Sequence, residues 1–203
     1  TASVDKTFYT NNHCTCGYFY TAQIPNGCMV CSNSGQLVGF NGFVSGTRGY
    51  FYDTTIQSAT AINTGYPMKL NTTDATITNG FSIVNDTFGN PVRVTATTTG
   101  KYNMEFSAQF QRIGGGASKT IDIWLRCNGN TSAADVPNSN TKLAVQGNAD
   151  YLVAAWNLLL PMTAGDYFTL MWAVEDTGIQ MVCAAANSVH PATPSLILSI
   201  QQI

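Results

Sequence analysis

From Gly49 to its end the chain is written as one short β-strand after another, and that rhythm leaves few folds open. Apolar or alternating runs fall at 50–56, 66–70, 80–84, 91–96, 101–112, 120–127, 141–146, 151–160, 166–174, 178–185 and 195–202. Turn formers separate them, among them Asn79-Gly80, Gly89-Asn90-Pro91, Gly114-Gly115-Gly116, Asn128-Gly129 and Ala164-Gly165-Asp166. Short strands at this spacing predict an all-β, antiparallel sandwich or barrel. The full length of 203 residues suits one such domain with a small appendage.

The clearest strand is 101–112. Tyr102, Met104, Phe106, Ala108 and Phe110 point one way, and Lys101, Asn103, Glu105, Ser107, Gln109 and Gln111 the other. That alternation is a half-buried strand with its apolar side on a core. Two later strands break the rule. In 166–174, Tyr167, Met171 and Ala173 oppose Phe168, Leu170, Trp172 and Val174, and in 151–160 both faces are again mostly apolar. Antiparallel sheets normally leave one face wet, so a doubly apolar strand needs a second cover. Another subunit is the expected cover, with Phe168, Leu170, Trp172, Trp156 and Leu158 as the interface; the competing cover is segment 1–48 folding over that face.

Charge narrows the function classes. Charged residues make up 10% of the chain, against roughly 25% in an ordinary globular domain. Net charge is −2 and no Lys/Arg cluster occurs. A sequence-independent grip on nucleic acid needs such a cluster, so no nucleic-acid partner is expected. No apolar run reaches membrane-spanning length, so no membrane partner is expected either.

Several motifs, taken in order, carry a resemblance. Gly100-Lys-Tyr-Asn-Met-Glu-Phe-Ser-Ala-Gln-Phe110 resembles the "G-x-Y-x-x-x-F-S-A-Q" strand of a virion-protein domain in tailed bacteriophages and related large viruses. Ile121-Asp-Ile-Trp-Leu-Arg126 with Asn128-Gly129, Ser139-Asn-Thr141, Ala155-Trp156-Asn157, Ala164-Gly-Asp166 with Leu170-Met-Trp172, and Pro191-Ala-Thr-Pro194 before Ser-Leu-Ile-Leu198 follow in the same sequence. Upstream, Phe51-Tyr-Asp-Thr-Thr-Ile-Gln57 is similar to its opening strand. That domain is similar to the trimeric jelly roll of the complement first-component q-subunit and tumour-necrosis-factor (TNF) superfamily. The resemblance implies a TNF-like jelly-roll β-sandwich over 49–203, a homotrimer, a place on the virion surface among capsid or fibre proteins, and no catalytic residues. It points to a capsid decoration (cement) protein or fibre head. The alternative it leaves is the receptor- or glycan-binding head of a phage tail fibre, with Tyr50, Tyr52 and Tyr66 as candidate ligand contacts.

Segment 1–48 carries no such resemblance. It is expected to be an irregular cysteine-bearing arm that anchors the domain. It holds four of the six cysteines, as Cys14-x-Cys16 and Cys28-x-x-Cys31. Two close pairs can place four thiolates around a structural zinc, and His13 can replace one of them. Crosswise disulfides and free thiols are the other readings, because Cys14 and Cys16 are too close in sequence to bridge each other readily.

The sequence offers little for catalysis. His13 and His190 are the two histidines, and neither lies near an obvious nucleophile. Asp122, Asp166, Glu175 and Asp176 are the conceivable carboxylate pairings, but Asp166 and Glu175-Asp176 read as turn and strand-end residues. The triple glycine 114–116 lacks the Gly-Lys-Ser/Thr ending of a phosphate loop and reads as a flexible hairpin tip. Cys127 and Cys183 read as free cysteines packed like small hydrophobes. No enzyme activity is expected.

Overall fold

The computed structural model describes residues 29–31, 37–39, 46–148 and 150–203. The chain divides into two units, Thr1–Gly46 and Thr47–Ile203. In the first, β1 (Met29–Cys31) and β2 (Leu37–Gly39) pair antiparallel. Cys14, Cys16 and Cys28 lie outside the described residues, as does the side chain of Cys31, and with them the zinc and disulfide readings.

The second unit carries β3 (Arg48–Asp53), β4 (Gln57–Ser58), β5 (Tyr66–Pro67), β6 (Thr72–Thr73), β7 (Phe81–Asn85), β8 (Pro91–Ala96), β9 (Gly100–Arg112), β10 (Lys119–Cys127), β11 (Thr141–Val145), β12 (Asp150–Met162), β13 (Tyr167–Val174), β14 (Ile179–Met181) and β15 (Leu196–Gln202). A short 3₁₀ turn, Ser132–Ala134, is the one helical element among the described residues.

All pairing is antiparallel, and its order identifies the fold. β10 pairs with β11, β9 with β12, β8 with β13 and β3 with β15. These pairs nest one inside the next, so the chain is a long hairpin wound around a core. Rolling adds the pairs β10–β13 and β9–β15 and closes two sheets. One has the order β11–β10–β13–β8–β7. The other has the order β4–β14–β9–β15–β3–β6, with β12 on the remaining side of β9. This is the jelly-roll sandwich that the resemblance implied.

The core forms where inward faces meet. Tyr102, Met104, Phe106, Ala108 and Phe110 of β9 are all buried, with Leu196, Leu198 and Ile200 of β15 beside them. Ile121, Ile123 and Leu125 of β10 and Phe168, Leu170, Trp172 and Val174 of β13 are buried on the opposing sheet. Phe110 and Trp172 meet between the sheets with ring centroids 5.7 Å apart. The buried Tyr102 hydroxyl donates to the Thr98 carbonyl at 2.6 Å, so the core holds a phenol without stranding its donor.

Asp53 and Arg112 are the charged residues buried inside this apolar register. Asp53 is wholly buried, and its carboxylate accepts from the Thr55 amide at 2.7 Å and the Asn71 amide at 3.2 Å. Arg112, the last inward residue of β9, is 3% exposed and donates to Asp176 at 2.8 Å. It also donates to the carbonyls of Gly115 and Ala117. The triple-glycine tip is therefore pinned rather than free. Gly147 packs so close that a Cβ there would sit 2.7 Å from the Gly115 backbone.

Four carboxyls set the acid limit of this unit. The Thr76 hydroxyl holds Asp74, the Thr120 amide holds Glu175 and the Gly178 amide holds Asp176 below the usual carboxylate range. Burial works against the charge of Asp135, but its hydrogen bond from Arg126 outweighs that and lowers it as well. Each folded-state pKa lies below its unfolded value, so each contribution is complete above the ordinary values of 3.8 for Asp and 4.5 for Glu. It is lost as pH falls through the folded values. The expected melting temperature is flat down to about pH 5 and falls below about pH 4. A melting temperature that stays constant through that acid range would contradict the assignment.

Candidate functional site

The residues expected at the subunit interface differ in exposure. Phe168, Leu170 and Trp172 are at most 3% exposed within the chain itself. Trp156 and Leu158 also face inward from β12, packed against the same core, and the Trp156 ring meets Phe106 edge-on at 4.5 Å. Phe168, Leu170 and Trp172 are thus enclosed by the chain's own core, while Trp156 and Leu158 keep part of their surface exposed. The middle of the second face of β13 is also closed within the chain, while β5 pairs beside the strand in the same sheet. A Cβ on Gly65 would sit 3.7 Å from the Met171 methyl, and both Thr169 and Met171 are buried.

β12 is different, because its second face has no cover within the described unit. Tyr151, Val153 and Leu159 are 67%, 53% and 66% exposed. Ala155, Asn157 and Pro161 complete that face and are exposed too. Neighbouring strands extend it. In register across the sheet run the rows Tyr52–Ile197–Ser107–Ala155, Tyr50–Ser199–Glu105–Asn157 and Arg48–Gln201–Asn103–Leu159. Glu105 and Arg48 are the only charges in these rows. The polar members bond to one another: Asn157 donates to Asn103 at 3.1 Å, and Asn103 donates to Glu105 at 3.0 Å. Among the described residues no strand pairs with the far edge of the 13-residue β12. A long bare edge beside a bare apolar face is what soluble chains normally cover or interrupt with charge. This sheet face is the candidate functional surface.

The tyrosines expected to contact ligand do not converge. Tyr50 and Tyr52 sit on this face with rings 6.4 Å apart. Tyr66 belongs to the other sheet, where it packs on Trp172 and bonds Thr60 through its hydroxyl at 2.9 Å.

The conceivable catalytic groups are each engaged locally. Asp122 pairs with Lys142 at 3.2 Å. Asp166 accepts from the Thr163 amide at 2.7 Å and from Asn128 at 2.9 Å. Glu175 accepts from the Thr120 amide, and Asp176 is committed to Arg112 and Gly178. His190 sits in an exposed loop, bonded to Asn187 and to the Pro191 carbonyl; His13 lies outside the described residues. Cys127 and Cys183 are free and half-buried. Burial, helped by the charge of Asp166, pushes the Cys127 thiol up to about 11, which keeps it a thiol at neutral pH.

Sequence reasoning passed over a second surface, on the outside of the β10–β13 sheet. Asp122, Trp124 and Arg126 alternate there with the buried Ile121, Ile123 and Leu125. That alternation was visible in the sequence, but an outward tryptophan between two charges was not recognised as a site.

No family model matches the sequence, and no curated protein does. Among solved structures, the crystal structure of murine APRIL at pH 5.0 is similar at 10% identity with a TM-score of 0.44, over 78% of this chain and 99% of that one. A likeness at this level says nothing of what the chain does, and the jelly roll rests on the nested strand pairing itself.

Proposed function

We propose that this chain is a non-enzymatic structural protein of a virion surface. In this reading three jelly rolls associate through the bare face of β12, β9, β15 and β3, and segment 1–48 anchors the trimer to capsid or fibre proteins. The observation that carries it is the apolar outward face of β12 beside an edge that no described strand pairs. A head-to-tail contact of this kind closes into a ring, which satisfies every copy's face at once. The motif series from Gly100 to Leu198 supports the virion placement. Light scattering of the purified chain is expected to give three times the 21.7 kDa chain mass. A stable monomer at micromolar concentration would remove the assembly, and antibodies that fail to label intact particles would remove the virion placement.

A second reading, the receptor- or glycan-binding head, is favoured by a separate feature: the polar groove around Trp124 on the opposite sheet.

A further inference from the structure

We infer that the groove around Trp124 binds a neutral saccharide. The inference rests on the second reading above and gives it a site.

The groove is open and of about 580 Å³, within the range of ordinary ligand sites. Its construction follows from strand register. Trp124 lies beside Met171, and Asp122 beside Ala173. The small Ala173 keeps the floor low next to the larger side chains. On one rim, Asn63 holds a left-handed backbone (φ 50°) and donates its amide to the Val174 carbonyl at 2.8 Å. Gly65 then meets the six-membered ring of Trp124, where a Cβ would lie 3.0 Å from Cζ2. Any larger residue at 65 would shift the indole or the rim. The opposite rim is fixed by Asn140, which donates to Asp122 at 2.9 Å.

The chemistry of the lining selects the ligand. Its charges are paired: Asp122 with Lys142 of the neighbouring strand at 3.2 Å, and Arg126 with Asp135 at 2.6 Å. An anion would meet two carboxylates, and a cation would meet Arg126 and Lys142. What remains on offer is one partly buried aromatic ring among planar carboxylate, guanidinium and amide groups. An aromatic face suits the C–H surface of a sugar ring, and planar two-atom groups suit neighbouring hydroxyls. These side chains are held by one another before any ligand arrives, so little ordering cost remains for binding.

The test is a titration of the full chain with a panel of neutral hexoses and N-acetylhexosamines, with sialic acid as the charged arm, followed by ligand-observed NMR and tryptophan emission. At least one neutral sugar is expected to bind on the order of 10 mM or tighter. Trp124→Ala is expected to weaken it at least about tenfold. Asp122→Asn, which keeps the shape of the side chain, is expected to weaken it as well, and it covers the case in which Trp124→Ala does not fold. Sugar binding that survives both substitutions would overturn the groove and leave the second reading standing. Failure of every sugar in the panel would overturn the groove and the glycan part of the second reading, whereas preference for sialic acid would overturn the neutral ligand and leave the second reading standing.

Discussion

Removing the Asp176 carboxylate is expected to cost more than removing the arginine it holds. Arg112 is 3% exposed and Asp176 25% exposed. In Asp176→Ala the charged guanidinium stays buried and retains only the Gly115 and Ala117 carbonyls. The expected loss is about 3 kcal/mol, or about 6–12 °C in melting temperature for a domain of this size. In Arg112→Met the long apolar chain refills most of the volume. Asp176 can turn to solvent while keeping its bond to the Gly178 amide at 2.9 Å. The expected loss is about 1–2 kcal/mol. The double variant should resemble Arg112→Met alone, since the stranded charge is gone. Urea unfolding of the three variants checks the order. A cost for Arg112→Met equal to or above that of Asp176→Ala would show that the pair is not governed by desolvation.

Much of the sandwich is legible in the sequence because strand period and turn chemistry agree. The inward set of 101–112 is buried in β9, which adds only Arg112 to it, and Asn79-Gly80, Gly89 and Gly165 fall at turns where Gly80, Gly89 and Gly165 take positive φ. Which doubly apolar strand has a spare face is not legible. Strands 151–160 and 166–174 look alike in composition, yet β13 is central, with β10 on one side and β8 and β5 on the other, while among the described residues β12 closes its sheet with one edge unpaired. Only long-range register separates them, and register is not written locally. The same limit hid the partner of Arg112. Asp176 is 64 residues away, and the turn reading of Glu175-Asp176 accounts for its bond to Gly178 but not for the ion pair. The Trp124 groove was missed for a related reason: its rims come from the loops at Asn63 and Asn140, which the sequence does not bring together.

Carboxylates placed on the bare face of β12 are expected to take the assembly apart without unfolding the chain. Val153 and Leu159 point outward and are more than half exposed, so Val153→Glu with Leu159→Glu should change the stability of the single chain by no more than about 0.5 kcal/mol. In a trimer closed through this face, each contact would bury two new carboxylates. The neighbouring rows supply amides and hydroxyls, and Arg48, in the row of Leu159, is the one cation among them. An unpaired buried charge costs several kcal/mol, and the cost recurs at every contact of the ring. The expected result is a folded monomer by light scattering, with the circular dichroism of the parent. Val189→Glu is the control, since Val189 is 87% exposed in the loop between β14 and β15, off the sheet, and should leave the mass unchanged. If the double variant keeps the parent's mass, the chain associates through some other surface. The apolar side of β12 would then have to be explained by a partner of a different kind.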